Sequence, residues 1–452
     1  MMLVMLLSGC ASLPDTSGIL QRHAGQQTRF ETARGTLSEK RSAAILQRLQ
    51  RSTGELDILD RHIALEEAIS DTPLTLGNRV TLLEDGEATY AAMFEAIRGA
   101  RDHIQLQSYI IEDDAVGRRF ADALLQKQAE GVQVNLIYDS VGAIRTPRAY
   151  FDRLRAGGVS VLEFNPVNPL AVRMAWRIYN RDHRKLLIAD GKVAFLGGIN
   201  ISGVYSTGSA IGRSTRSGGS SEAQGWRDTH MRVEGPVVAD LQRLFLDTWK
   251  KQHGPPPAER NYFPTLLPAG PDIVRVIGSS PDDPYSRMYM ALMSALHSAQ
   301  RRIWITNAYF VPDPQLLAAL CEARGRGVDV RLLLPSHSDF GIVLNAGRSN
   351  YEQLLGCGVR IFEREGQLLH AKTVVIDGVW STVGSTNLDW RSFLDNDELD
   401  AIMLGREFGA RMEEMFQRDL EQSREIDPER WARRPAGTRF KEWFSRLWQR
   451  LL

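Results

Sequence analysis

The chain has 452 residues, 43% of them apolar and 24% charged; this is the composition of a folded protein of two or three domains and excludes disorder, collagen and coiled coil as the dominant state. Lys plus Arg and Asp plus Glu both number 55, so the basic excess expected of a protein that neutralises nucleic-acid phosphates is missing. Three cysteines cannot supply a disulfide framework for a chain of this size.

The chain begins with a short apolar segment, Met1 to Leu7, closed by Leu7-Ser8-Gly9-Cys10-Ala11. The segment is far below the ~20 residues that span a bilayer and no later stretch reaches that length, so no transmembrane helix is expected. Leu7 to Cys10 resembles the lipobox at which a bacterial signal peptide is cut and its cysteine lipidated, although Met1 to Val4 lack the usual Lys or Arg. Residues 1–9 are then a signal peptide and Cys10 the lipidation site, giving a membrane-associated protein anchored by Cys10 and facing the periplasm. Pro14 to about Ser70 is polar and helical in pattern, with a thin apolar stripe of Ile45, Leu46, Leu49, Leu56, Ile58 and Leu59. It reads as a stalk or a leading subdomain, residues 10–72.

An internal repeat follows. Ile104 to Tyr109 is strand-like, Val116, Phe120 and Leu124 mark a helix, and Gly131 to Leu136 is a second strand; Ile303 to Tyr309, then Leu316, Leu317, Leu320 and Cys321, then Gly327 to Leu332 repeat that order. Tyr109 and Tyr309 share an offset of 200 with Gly158-Val159 and Gly358-Val359, a register that chance does not hold. Strands alternating with helices predict an α/β unit in each half, residues 73–254 and 255–427, with Pro255-Pro256-Pro257 at the boundary. Cys321 in an apolar helical run and Cys357 in a Gly-Cys-Gly turn are expected to be inert thiols.

The signal that carries chemistry also occurs twice. His183-Arg184-Lys185, Asp190-Gly191 and Gly197-Gly198-Ile199-Asn200 are matched at an offset of 187 by His370-Ala371-Lys372, Asp377-Gly378 and Gly384-Ser385-Thr386-Asn387. On a strand the His and Lys project from one face and can meet one phosphate. The apolar runs Leu186 to Ala189 and Thr373 to Ile376 suit buried strands, and each Asp-Gly suits a tight hairpin turn.

From about Leu76 to Ser423 the chain resembles the phospholipase D superfamily, whose HxK(x4)D(x6)G(G/S)xN signature both halves hold in full. Tyr179 to Lys185, Tyr309-Phe310-Val311-Pro312 and Asn387 to Arg391 are similar to bacterial cardiolipin synthases. The resemblance implies two duplicated α/β/α sandwich domains with mixed sheets, related by a pseudo-twofold axis, and one active site at their interface. It implies a catalytic set of His183, Lys185, Asp190, His370, Lys372 and Asp377. His183 is assigned as nucleophile and His370 as general acid and then base, an order that can be reversed. Lys185, Lys372, Asn200 and Asn387 would bind phosphate without a metal or other cofactor, and Asp228 and Glu398 would orient the histidines. Asp190 and Asp377 are expected to brace the hairpin turns rather than touch substrate.

Asp228 follows Asn200 by 28 residues whereas Glu398 follows Asn387 by only 11; the difference is Ser206 to Gly225, with 11 Ser or Gly among 20 residues, a flexible loop that either covers the site or has no role. Asn168 to Trp176 either lines an acyl-chain path or packs on its domain. In the tail, residues 428–452, Phe440, Trp443, Phe444, Leu447, Trp448 and Leu451 recur at helical spacing with Arg439, Lys441, Arg446 and Arg450 on other faces. That pattern fits an interfacial amphipathic helix, or equally a helix docked on the protein.

The reading is a phosphatidyltransferase that makes cardiolipin from phosphatidylglycerol at a membrane surface, through a phosphohistidine. Phospholipase D hydrolysis to phosphatidic acid is the alternative, because the first half-reaction is shared. A nuclease fits poorly with zero net charge, no nucleic-acid partner is expected, and an inactive lipoprotein scaffold fits poorly with two intact motifs.

Overall fold

A computed structural model describes residues 13–16, 18, 28–54, 56–167, 179–206 and 225–451. Cys10, the segment Asn168 to Trp176 and residues 207–224 of the Ser/Gly-rich insertion lie outside the described residues.

Each half is built on seven strands. In the first they are β1 (Leu74–Leu83), β2 (His103–Ser108), β3 (Gln133–Asp139), β4 (Ser160–Phe164), β5 (Leu186–Ala189), β6 (Val193–Gly197) and β7 (His230–Glu234), in the spatial order β4-β3-β2-β5-β6-β7-β1. β2, β3 and β4 are parallel, and the other pairings are antiparallel. The second half repeats the design with β8 (Asp272–Ser279), β9 (Arg302–Asn307), β10 (Asp329–Pro335), β11 (Arg360–Arg364), β12 (Lys372–Ile376), β13 (Trp380–Gly384) and β14 (Asn396–Leu404), ordered β11-β10-β9-β12-β13-β14-β8. The first strands of the two repeats, β1 and β8, pair antiparallel and join the sheets. The mixed, duplicated α/β architecture expected from the repeat is therefore the fold.

The N-terminal segment contributes α1 (Glu39–Thr53) and α2 (Ile63–Ser70). It is no stalk: Phe30, Leu56, Ile58, Leu59, Ile63 and Ile69 are buried in the core of the second half, and Glu66 forms a fully buried ion pair with Arg275 of β8 at 2.7 Å. α3 (Gly86–Gly99), α4 (Ala115–Ala129) and α5 (Arg148–Ala156) cover one face of the first sheet. α6 (Val238–Lys251) packs with both halves; α7 (Arg287–Ser298), α8 (Pro314–Gly325), α9 (Gly341–Arg348), α10 (Tyr351–Gly356) and α11 (Arg406–Glu421) belong to the second. Asp114 and Asp313 start α4 and α8 by accepting backbone N–H groups, from Gly117 and from Gln315 and Leu316, the local chemistry that their sequences carry. α6 and α11 fill a shared middle core in which Leu241 and Phe245 join Phe408 and Met412, so burial itself fixes one half against the other.

One expectation about the periphery changes. Cys321 within α8 and Cys357 just after α10 are joined in a disulfide, with Cα atoms 5.5 Å apart, rather than standing as inert thiols. The pairing follows from the lateral packing of α8 and α10, which no local pattern in either segment encodes. The tail forms α12 (Ala436–Arg446), packed on α9. No helix among the described residues is long and apolar enough to cross a membrane.

Candidate active site

β5 and β12 end in the expected turns. Asp190 and Gly191 have φ of 54° and 62°, Asp377 and Gly378 have 54° and 68°, and Lys192 and Val379 donate back to Ala189 and Ile376 at 3.0 and 3.1 Å. Two successive left-handed residues make the hairpin turn that follows the twist of the strands. The carboxylate of Asp190 accepts the backbone N–H groups of Arg101, Asp102 and His103, and that of Asp377 accepts those of Gln300, Arg301 and Arg302. Both aspartates thus tie a hairpin to the start of the neighbouring strand, and the side chains left to build the site are the histidines and lysines.

Those four groups meet through a crossed arrangement. Arg181-Asp182, just before the first motif, pairs in parallel with Asn396-Asp397 of β14, and the His183 N–H donates to the Asp397 carbonyl at 2.9 Å. Leu369 likewise bridges Arg227, and the His370 N–H donates to the Arg227 carbonyl at 2.8 Å. Each histidine is thereby delivered to the acid of the opposite half. His183 Nδ1 lies 3.0 Å from Glu398 Oε2, and His370 Nδ1 lies 2.6 Å from Asp228 Oδ2. Nδ1 being held in both rings, Nε2 is the nitrogen left for chemistry. Lys185 and Lys372 fold back so that each ammonium donates to the carbonyl of its own motif histidine, and Lys372 Nζ also lies 3.0 Å from His370 Nδ1.

All four are buried, and burial sets their charge states. Desolvation, with Lys185 and Lys372 nearby, holds His183 well below its ordinary range; desolvation and Lys372 push His370 down to about 4 against the pull of Asp228. Lys185 is lowered to about 7 and Lys372 to about 8, mainly by desolvation. Burial raises Glu398, whereas at Asp228 the attraction of His370 and Lys372 outweighs burial and keeps the carboxyl below its usual range. Two histidines, two lysines and two acids are thus buried together, each histidine held by one acid.

Several residues join the site that motif reasoning left out. Tyr109 and Tyr309, the residues that mark the repeat register, stand 5.0 Å from His183 and 6.0 Å from His370 with their rings near Lys185 and Lys372. Tyr205 and Trp226, which flank the insertion, pack edgewise and obliquely on His370, and the Tyr205 hydroxyl lies 3.4 Å from its Nδ1. The Asn200 amide is engaged at both ends by protein groups, accepting from Ile110 and donating to Tyr205; Asn387 sits buried with its backbone N–H bonded to Ser392. Arg184, where the second motif has Ala371, reaches Asp397, the Glu398 and Ser279 carbonyls and Thr248, bolting the first motif to the second half. A Cβ on Gly198 would collide with the Asp228 carboxylate, while Ser385 at the matching position donates to Glu398 at 2.5 Å.

A family profile described as "Cardiolipin synthase, PLD-like domain" matches residues 93–206 and 292–420. Cardiolipin synthase A of Pseudomonas putida is 40% identical over 365 residues, covering 79% of this chain and 71% of that protein. Cardiolipin synthase of Geobacillus thermodenitrificans is 35% identical over 387 residues, covering 85% and 74%. Among solved structures, the fold is similar to phosphatidylserine synthase from Haemophilus influenzae, with a TM-score of 0.62 at 12% identity over 86% of this chain and 99% of that one.

Proposed function

The chain belongs to the cardiolipin synthase family of phospholipase D-like proteins, and from that premise we propose that it transfers the phosphatidyl group of one phosphatidylglycerol to a hydroxyl of a second, making cardiolipin and releasing glycerol. In the first step His183 Nε2 attacks phosphorus; the P–N bond forms as the P–O bond to glycerol breaks, and His370 gives its proton to the departing oxygen. In the second, neutral His370 takes the proton of the acceptor hydroxyl, whose oxygen displaces His183 and closes the new phosphodiester. Lys185 and Lys372 stabilise the charge on the phosphoryl oxygens, and the anionic substrate raises the proton affinity of the whole cradle on arrival.

The observation that carries this reading is the crossed pairing of both histidines with acids of the opposite half, which leaves two Nε2 atoms and two lysines for one phosphodiester. The Cys10 anchor and the periplasmic setting remain part of the proposal; their support is the lipobox pattern and the Cys321–Cys357 disulfide, since such bonds persist in oxidising compartments. Intact-mass measurement of membrane-extracted protein tests the anchor: acylated Cys10 as the new N-terminus supports it, and unmodified Met1 ends it.

Product analysis on phosphatidylglycerol vesicles tests the reaction. Cardiolipin and free glycerol in equal amounts are expected, with acid-labile phosphatidyl label on His183 after rapid quenching. Phosphatidic acid as the sole product at every lipid density overturns transfer and establishes hydrolysis.

A further inference from the structure

α12 is seated with its aromatic side outward. Its buried residues are Glu442 and Ser445, and Glu442 is held at 2.9 Å by Arg434, which also reaches Glu352. Phe440, Trp443, Phe444, Leu447, Trp448 and Leu451 are 40–63% exposed, at the spacing of one continuous stripe. A helix recruited to stabilise the core would turn these side chains inward; this one packs on α9, with Arg434 bridging Glu442 to Glu352, and leaves them outside.

The elements that carry and hold the stripe also reach toward the site. Phe340 and Ile342 are exposed at the start of α9, the helix on which α12 packs, and the Phe340 ring stands 6.5 Å from Tyr309, itself against His370. At the far end the Arg450 guanidinium lies 5.4 Å from the Trp390 ring, three residues beyond Asn387. Arg439, Lys441, Arg446 and Arg450 flank the stripe; Arg439 has Glu352 at 3.9 Å, and the acid of the segment, Glu442, is taken up by Arg434.

We propose that this face docks on a bilayer containing anionic phospholipid, with the Trp and Phe rings in the headgroup layer and the cations on lipid phosphates, so that the mouth of the site rests on its substrate. The inference rests on the lipid-transfer reading and names the surface that serves it. Large aromatic rings with a cationic border match the polarity gradient and charge of such an interface. A second copy fits less well, because a twofold contact of the stripe with itself would set the cations against one another.

The test is vesicle flotation of full-length Cys10→Ser protein, so that no acyl chain contributes, with vesicles of phosphatidylglycerol and phosphatidylethanolamine or of phosphatidylcholine alone. Binding is expected to be on the order of tenfold stronger to the anionic vesicles. Trp443→Ser/Leu447→Ser should weaken it on the order of tenfold or more without lowering the melting temperature. Lys441→Glu/Arg446→Glu should remove the preference for anionic lipid. If a variant melts early, quenching of the parent's tryptophan fluorescence by brominated lipid decides in its place. Equal flotation of parent and Trp443→Ser/Leu447→Ser overturns the proposal, as does a parent dimer that the same variant dissolves while vesicle binding persists. Turnover of monomeric short-chain phosphatidylglycerol needs no docking and should be equal in parent and variant; its absence from both removes the lipid-transfer reading while flotation still decides the docking.

Discussion

The crossed pairing predicts which acid serves which step. Asp228 is next to the first motif in sequence but braces His370, so Asp228→Asn should impair the same chemistry as His370→Ala, and Glu398→Gln the same chemistry as His183→Ala. Asp228 is fully buried and accepts at 2.6 Å. A hydrogen bond to a charged buried partner contributes about 1.5–3 kcal/mol, and about 1.4 kcal/mol is a factor of ten, so the step that needs a protonated His370 should slow on the order of 10- to 200-fold. A phosphatidyl ester of p-nitrophenol separates the steps, because that leaving group departs without an acid. In rapid mixing, Asp228→Asn and His370→Ala should keep the p-nitrophenol burst and lose turnover. Glu398→Gln should slow the burst, and His183→Ala should abolish it. Loss of the burst in Asp228→Asn alongside its retention in Glu398→Gln, with His183→Ala burst-free, refutes the crossed reasoning. If instead His370→Ala is the burst-free variant, the two histidines exchange roles.

Three further outcomes follow from the rest of the fold. Asp190→Asn removes a carboxylate that accepts three backbone N–H groups, and should cost about 1–3 kcal/mol in urea unfolding with kcat of the folded enzyme unchanged; lower kcat at unchanged stability would place Asp190 in the reaction. Burial lowers His62 to about 3 from 6.5, so its neutral form contributes stability above pH 6.5 that is lost as pH falls toward 3. By pH 4.5 that loss is about 3 kcal/mol, and His62→Gln should show a correspondingly shallower fall in unfolding free energy between pH 7 and 4.5. The Cys321–Cys357 bond closes a loop over a separation of 36 residues, for which chain entropy gives about 4 kcal/mol; Cys321→Ser should lower the denaturant midpoint, keep activity and become insensitive to reductant.

What the sequence made legible was whatever repeats or is local. Two copies in one register gave the duplicated α/β fold, and Asp-Gly after a buried apolar run gave both hairpin turns at Asp190 and Asp377. Asp228 and Glu398 were found as acids, but their exchange across the halves depends on the parallel pairing of Arg181-Asp182 with β14, a contact over more than two hundred residues without a local signature. The disulfide was hidden for the same reason, since it records the packing of two helices. The tail pattern marked an apolar stripe without saying which side faces the protein, because the deciding contact is Arg434 with Glu442 and Glu352. Tyr205 had a usable signal in retrospect: an aromatic just before a Ser/Gly-rich insertion is an anchor, and here it anchors on His370.

A duplicated fold offers two equivalent histidines, yet the reaction needs two unequal ones, and the departures from symmetry supply the inequality. Asp228 stays anionic because His370 and Lys372 outweigh its burial, and Gly198 leaves room for its carboxylate to close on His370 at 2.6 Å. Such a short bond to a full charge pulls His370 toward the imidazolium form, against the burial and Lys372 that lower it to about 4, and the anionic substrate adds to that pull. Glu398 is pushed the other way by burial and divides its oxygens among Ser385, Asn396 and His183, so it supports a proton on His183 more weakly. Lys185 and Lys372 oppose a positive charge on either ring, so the weaker brace is what leaves His183 neutral with its Nε2 lone pair available for the proposed attack. Arg184 ties the first motif to the second half, whereas Tyr205 and Trp226 pack on His370. The proposed assignment of His183 to attack and His370 to proton transfer therefore rests on the places where the two halves differ, since the residues they share make both histidines competent for either role.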